Sequence, residues 1–166
     1  MSFVSIGDII SISQLVGNLL WRVRTAAAEF RVFTGDLNLT QTILRQLQSN
    51  WGILASRLGE SERNTVRSII EGIRRGLNEL ENQLERYQSV GGIRHGIANL
   101  RFSNHLVDLQ RRLQFHMSAL QLLAQNLSIM QGNRIEEALR VFREALEEQR
   151  RSDQQERGLQ PGDENE

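Results

Sequence analysis

The chain has no cysteine and no lysine. Without cysteine it can form no disulfide, no thiolate metal site and no cysteine nucleophile. Without lysine it can supply neither the phosphate-binding lysine of a P-loop nor the amine of a Schiff base. All 20 basic residues are therefore arginines, and 20 acidic residues balance them. A net charge of zero gives the molecule no overall field that attracts nucleic acid, so we expect no nucleic-acid partner.

The use of arginine alone has two explanations. The planar guanidinium suits phosphate and carboxylate groups, which would fit a role in binding lipid headgroups. Preferential coding of arginine in a GC-rich genome is the simpler explanation, and we favour it.

Proline is nearly absent as well, since the single one is Pro161. Strand signals are equally scarce: runs of Val, Ile, Thr or Tyr are few, and there is no Asn-Gly hairpin turn. Apolar residues instead recur at spacings of three and four, which predicts amphipathic helices. With 166 residues, 39% of them hydrophobic and 24% charged, the chain has the size and composition of one globular domain.

Two helices are predicted in the first third of the chain. The first begins near Asp8, which we take as its N-cap, and runs towards Ala28. The second covers roughly 29–58, and we expect Gly35-Asp36 to break or bend it.

Three further helices follow. The third starts at Ser61 and has a heptad-like apolar seam over about six turns, as in a bundle or coiled coil. Gly91-Gly92 ends it, because glycine adopts the left-handed conformation found just after helices. After a loop or short helix, the fourth covers about 104–130 and the fifth about 133–150.

Long helices joined by short glycine-bearing turns predict an all-α fold, an elongated antiparallel bundle of four to five helices. We expect the bundle to occupy residues 1–150. The apolar pattern ends after about Arg150, so 151–166 is predicted to be a polar, disordered tail.

The first 21 residues are unusual because Asp8 is their only charged residue. A membrane-spanning helix needs about 20 largely apolar residues, and this segment approaches that. Its polar residues oppose insertion of a monomer, since a central Asp alone costs about 2.5–3.5 kcal/mol. It also lacks the basic start of a secretory signal peptide. The simpler alternative is a helix buried in the bundle, and the two are compatible if the helix is released later.

The opening of the chain resembles the start of many fungal proteins. The residues that carry the resemblance are Met1, Ser2, Phe3, Gly7, Asp8, Ile9 and Ile10, followed by a Leu-x-x-x-Leu helix, by Ala28-Glu29-Phe30-Arg31 and by a leucine-rich helix. Such N-termini belong to HeLo and HeLo-like domains, which occur on fungal NOD-like receptors and their partner effectors. The similarity is strongest over about residues 1–50 and rests beyond them on the helix pattern.

The resemblance implies a helical bundle that executes regulated cell death in fungal innate immunity and heterokaryon incompatibility. Its role would be similar to that of the bundle in the animal necroptosis executioner. In such proteins a C-terminal amyloid-forming segment usually triggers activation, and the N-terminal helix engages the membrane. Residues 151–166 depart from this pattern because they are polar and acidic, with no β-prone window. We therefore expect either that the sequence is a truncated domain or that its trigger lies elsewhere.

Two hypotheses follow. In the first, the chain rests in the cytoplasm, moves to the plasma membrane on activation, self-associates, and perturbs or perforates the phospholipid bilayer through its first helix. Asp8 would control insertion. The candidate membrane-inserting residues are Phe3, Val4, Ile6, Asp8, Ile9, Ile10, Ile12, Leu15, Val16, Leu19, Leu20 and Trp21. In the second, the chain is a protein-interaction or oligomerisation module of a fungal NOD-like receptor and has no membrane activity, and the heptad-like seam is its best support.

Other patterns favour structure over chemistry. His95, His105 and His116 are not spaced to chelate one metal ion, and we expect them at the surface or its boundary. Gly72-x-x-x-Gly76 stands among charged residues, which in water predicts a close helix crossing or a weak spot in the helix, and not a membrane interface. Glutamates alternate with arginines at helical spacing, as on solvated faces. We expect no enzyme activity, no cofactor and no metal site.

Overall fold

The computed structural model describes the backbone of residues 4–89, 97–128 and 132–158, and the side chains of 4–88, 103–125 and 139–155. Five long helices and one single-turn helix make up this part of the chain, which contains no strand. In chain order they are α1 (Ile6–Thr25), α2 (Ala28–Arg31), α3 (Phe33–Arg57), α4 (Glu60–Ser89), α5 (Ile97–Ser128) and α6 (Gly132–Gly158). The predicted all-α fold is confirmed.

Four of the long helices enclose one core. α1 and α3 are antiparallel, since Arg24 near the end of α1 donates to Asn38 near the start of α3 (3.4 Å). α1 also contacts α4, and α5 contacts both α3 and α4, so these four helices form a closed ring. α6 packs against α4 and α5 from outside the ring. The arrangement is the helical bundle that the sequence predicts, with α1 antiparallel to α3 and parallel to α4.

The heptad-like seam of α4 faces the inside of this bundle. Its last member, Tyr87, is partly buried, and the others are at most 2% exposed: Val66, Ile69, Ile70, Ile73, Leu77, Leu80 and Leu84. Burying one aliphatic side chain contributes about 1.5–3 kcal/mol, so the seam is a main source of the stability of the bundle. At the far end of α4, Tyr87 meets the buried ring of Phe30 from α2 edge-on, with ring centroids 5.4 Å apart.

The helix boundaries differ from the predicted ones near the start of the chain. Ser5, not Asp8, is the N-cap of α1, and Asp8 is the third residue of the helix. The break inside the second predicted helix lies at Val32, between α2 and α3, whereas Gly35 is helical. A glycine in an exposed first turn displaces no packed side chain, so it weakens the helix without ending it.

Two differences occur in the second half. α5 begins at Ile97, so the predicted loop or short helix before residue 104 is the first part of α5. α6 continues to Gly158, and residues 151–158 of the predicted tail are therefore helical. Arg, Gln and Glu in this stretch are good helix formers and can prolong a helix whose side chains are exposed, as those of 151–155 are. Gly91-Gly92 and residues 159–166 lie outside the described residues.

Candidate functional site

Asp8 is fixed at the start of α1 by a capping box. The backbone N–H and the hydroxyl of Ser5 both donate to Asp8 Oδ2 (2.8 Å each), and the backbone N–H of Asp8 donates to Ser5 Oγ (3.2 Å). Each residue thereby satisfies an N–H group that the helix itself leaves unpaired. Hydrogen bonds from Ser5, and then from Arg74, lower the pKa of Asp8, so its carboxylate is charged at neutral pH.

Ion pairs join α1 to α4 at two places. Asp8 Oδ1 lies 3.1 Å from Arg74 Nη2, and Arg22 Nη1 lies 3.2 Å from Glu81 Oε1. Asp8 and Arg22 are about four helical turns apart, so both project from the same side of α1. Leu15 lies between them on that side and packs against the core. The edge of α1 that faces α4 is thus apolar in the middle and charged at both ends.

Most of the candidate membrane-inserting residues are inside the bundle. Those at most 7% exposed are Val4, Ile9, Ile12, Val16, Leu19 and Leu20. Ile10 and Leu15 are partly buried, and Phe3 lies outside the described residues. The alternative of a buried first helix therefore describes the chain in this conformation.

Trp21 and Ile6 are the exceptions, because they are 70% and 47% exposed. Trp21 projects from the side of α1 opposite its buried face and lies one turn before Arg24, which is also exposed. An indole beside an arginine is the combination found where proteins meet the membrane–water interface. The candidate set thus divides into a buried majority and an exposed aromatic residue that core packing does not explain.

α4 and α5 approach closely at the two glycines of the Gly-x-x-x-Gly motif. Leu113 of α5 lies over Gly76, and the imidazole of His116 lies over Gly72. A Cβ atom at either glycine would overlap the side chain above it. Of the two alternatives that the sequence left open for this motif, the structure has the close helix crossing.

His116 is a neutral part of this crossing. Burial, reinforced by the nearby charges of Arg75 and Arg112, lowers the pKa of His116 to about 4. Its Nδ1 is buried, and no described group is hydrogen-bonded to it. The ring therefore stays uncharged at physiological pH and fills space between the helices.

His105 has a different environment. It is exposed, and its Nε2 lies 2.8 Å from Glu79 Oε1, which also pairs with Arg112 (3.1 Å). His105 and His116 thus occupy surface and boundary positions, as predicted. His95 lies outside the described residues.

Sequence reasoning missed the two ion pairs between α1 and α4. The partners are 66 positions apart in one pair and 59 in the other, beyond the range of any local pattern. One signal was present: Asp8 and Arg22 lie on one side of α1, and Arg74 and Glu81 lie one heptad apart on α4. Opposite charges face each other at both places only when the two helices run in the same direction, as α1 and α4 do here.

Neither a membrane span nor a metal centre is found in the described residues. No helix there has a stretch both long and apolar enough to cross a bilayer. No three His, Asp or Glu side chains of that part are grouped so that they could hold a metal ion. Comparison with known proteins gave no match to any family model, curated protein or solved structure.

Proposed function

We propose that the chain is a membrane-active effector domain of the HeLo-like kind that its N-terminus resembles, acting in regulated cell death alongside a fungal NOD-like receptor. The bundle rests in the cytoplasm, and on activation it moves to the plasma membrane, self-associates and perturbs the bilayer through α1. The observation that carries this proposal is the exposed Trp21 beside Arg24, on a helix whose other apolar residues are mostly held in the core.

The resting bundle does not release α1 spontaneously. Six buried side chains on α1, at about 1.5–3 kcal/mol each, correspond to roughly 10 kcal/mol or more of lost burial on release. That amount is comparable with the whole stability of a typical domain, about 5–15 kcal/mol. Contact with lipid or assembly with other copies must therefore compensate for the lost burial before α1 can be released. This requirement keeps the resting bundle autoinhibited.

A membrane surface supplies part of this compensation at the ion pairs. Arg22 is held by Glu81 in a partly exposed pair, which contributes at most about 1 kcal/mol. An anionic leaflet attracts an arginine near its surface by a similar amount, about 1 kcal/mol. Headgroups can thus replace Glu81 as the partner of Arg22 while Trp21 and Arg24 meet the interface.

The alternative is an adaptor that binds proteins and ignores lipid. Its sequence support was the heptad-like seam of α4, and that seam is used inside the bundle. The exposed apolar side chains elsewhere, such as Ile53 and Val107, are about half exposed and lie on different helices. The membrane proposal therefore has the more specific support.

Tryptophan fluorescence provides the test. The chain has two tryptophans, and Trp51 is only 5% exposed, so Trp51→Phe leaves Trp21 as the sole reporter. We expect its emission to shift to the blue when vesicles of phosphatidylcholine and phosphatidylserine are added, because the indole moves from water into the interface. Vesicles of phosphatidylcholine alone should give a smaller shift.

A matched pair of variants extends the test to binding and dye release. Trp21→Ala should reduce sedimentation with the anionic vesicles and the release of trapped dye. Ile53→Ala removes exposed apolar surface from α3 and should change neither. Unshifted Trp21 emission together with equal vesicle binding by the two variants would contradict the membrane proposal, and self-association in solution would then favour the adaptor.

A further inference from the structure

A cleft of about 300 Å³ lies between the first two turns of α4 and the middle of α6. α4 lines it mainly with small hydroxyl side chains, and α6 contributes two arginines and a glutamate. The residues that matter are Ser61, Thr65 and Ser68 on α4, and Arg143, Glu147 and Arg150 on α6. Both sets are spaced i, i+4 and i+7, so each forms one row and the two rows face each other.

No carboxylate among the described side chains pairs with the arginines of this cleft. Arg143 donates from Nη1 to Ser61 Oγ across the cleft (2.6 Å), although Glu147 is one turn away on its own helix. Within the described part of the chain, neither Arg143 nor Arg150 forms an ion pair. Helical arginines and glutamates one turn apart commonly pair, but these do not. No described carboxylate therefore occupies the two guanidinium groups, which can bind another anion.

The chemistry of the two rows matches a phosphate ester. Guanidinium groups bind phosphate oxygens through charge-assisted hydrogen bonds, and serine and threonine hydroxyls can donate to the oxygens that remain. We propose that this cleft binds a phosphomonoester, held between Arg143 and Arg150 with Ser61 and Ser68 as further donors. Glu147 also borders the cleft and weakens the binding of an anion there. The site is independent of α1, so its failure would leave the membrane proposal unaffected.

The size of the cleft limits the ligand. Ligand sites in proteins range from about 300 to 1,000 Å³, which places this one at the lower end. It suits a single phosphate on a small polar group, such as a glycerol phosphate. The same group occurs free in solution and as the headgroup of phosphatidic acid, so the test must separate the two sources.

Calorimetric titration with glycerol phosphate tests the soluble source, and sedimentation with vesicles of phosphatidylcholine and phosphatidic acid tests the lipid source. Arg143→Gln and Arg150→Gln should each weaken binding by about tenfold, the effect of losing one hydrogen-bonded charge. Arg111→Gln removes an exposed charge from α5, outside the cleft, and should have no such effect. Glu147→Gln should tighten binding by about two- to fivefold, a gain that no loss of folding can imitate.

Each result has one meaning. Binding of glycerol phosphate that is weakened by Arg143→Gln and Arg150→Gln and tightened by Glu147→Gln supports a site for a soluble phosphate ester. Binding to the vesicles alone, with the same effects of the variants, supports a site for the lipid headgroup. Absence of binding to both probes, or an equal loss in the Arg111→Gln chain, overturns the proposal.

Discussion

The crossing of α4 and α5 allows a quantitative test of the packing. An alanine in a helix interior is about 0.5–1 kcal/mol more favourable than a glycine. At Gly52 of α3 an added Cβ meets nothing within 4 Å, so Gly52→Ala should stabilise the protein by that amount. At Gly72 the same methyl group overlaps the His116 imidazole, and such overpacking costs about 1–3 kcal/mol. The gain in helix propensity cancels between the variants, so Gly72→Ala should be less stable than Gly52→Ala by about 1–3 kcal/mol.

Urea unfolding followed by circular dichroism measures this difference through the midpoint, provided that the slope of the transition stays unchanged. Adding His116→Ala to Gly72→Ala makes room for the methyl group, and the two changes should be coupled by about 0.5–3 kcal/mol. If Gly72→Ala is as stabilising as Gly52→Ala, the close contact between imidazole and glycine does not exist in solution.

Three more predictions concern charges and α1. The pKa of His116 is lowered from 6.5 to about 4 in the folded chain, so the unfolded chain binds the proton more readily. The contribution of this group to the free energy of unfolding is complete above pH 6.5 and should fall by about 2 kcal/mol between pH 7 and pH 5. Urea unfolding at the two pH values measures the loss, which His116→Phe should remove. The Asp8–Arg74 pair is partly exposed, so a double-mutant cycle with Asp8→Asn and Arg74→Gln should give a coupling of about 0.2–1 kcal/mol that disappears at high salt; a coupling insensitive to salt would contradict a surface pair. Ile9→Arg should unfold the bundle because Ile9 is fully buried, whereas Ile6→Arg should leave the helical circular dichroism intact because Ile6 is 47% exposed; an intact Ile9→Arg chain would mean that α1 is not packed in the core.

Local patterns in the sequence predict the helices well and their ends less well. The apolar seam of α4 is periodic over its whole length, so its helix and its buried face were both predicted. The N-cap of α1 was misplaced because Asp8 is as good a capping residue as Ser5, and only the geometry shows that each serves the other. Gly35 was weighed as a break, but tertiary packing of Phe33 and Leu37 on either side maintains the helix there.

The candidate site was only partly predictable, because its properties depend on contacts between distant parts of the chain. The segment from Phe3 to Trp21 was chosen for its hydropathy, which does not distinguish a residue buried against α3 from one exposed to water. Trp21 and Leu20 are adjacent in sequence, yet one is 70% exposed and the other 7%. The partner of Arg143 across the cleft was equally out of reach, since Ser61 is 82 positions away.

The closed ring of four helices has a consequence for assembly. α3 and α4 both rest on α1, so the departure of α1 would leave a long apolar groove along each copy. Water is a poor occupant of such a groove, and away from a bilayer the segment that fits it best is an α1 helix from a neighbouring copy. Exchange in a consistent direction would link copies head to tail, giving a closed circle or an open filament according to the angle between neighbours. In that arrangement the number of subunits would depend on the geometry of the groove that receives the helix, and not on the released helix alone.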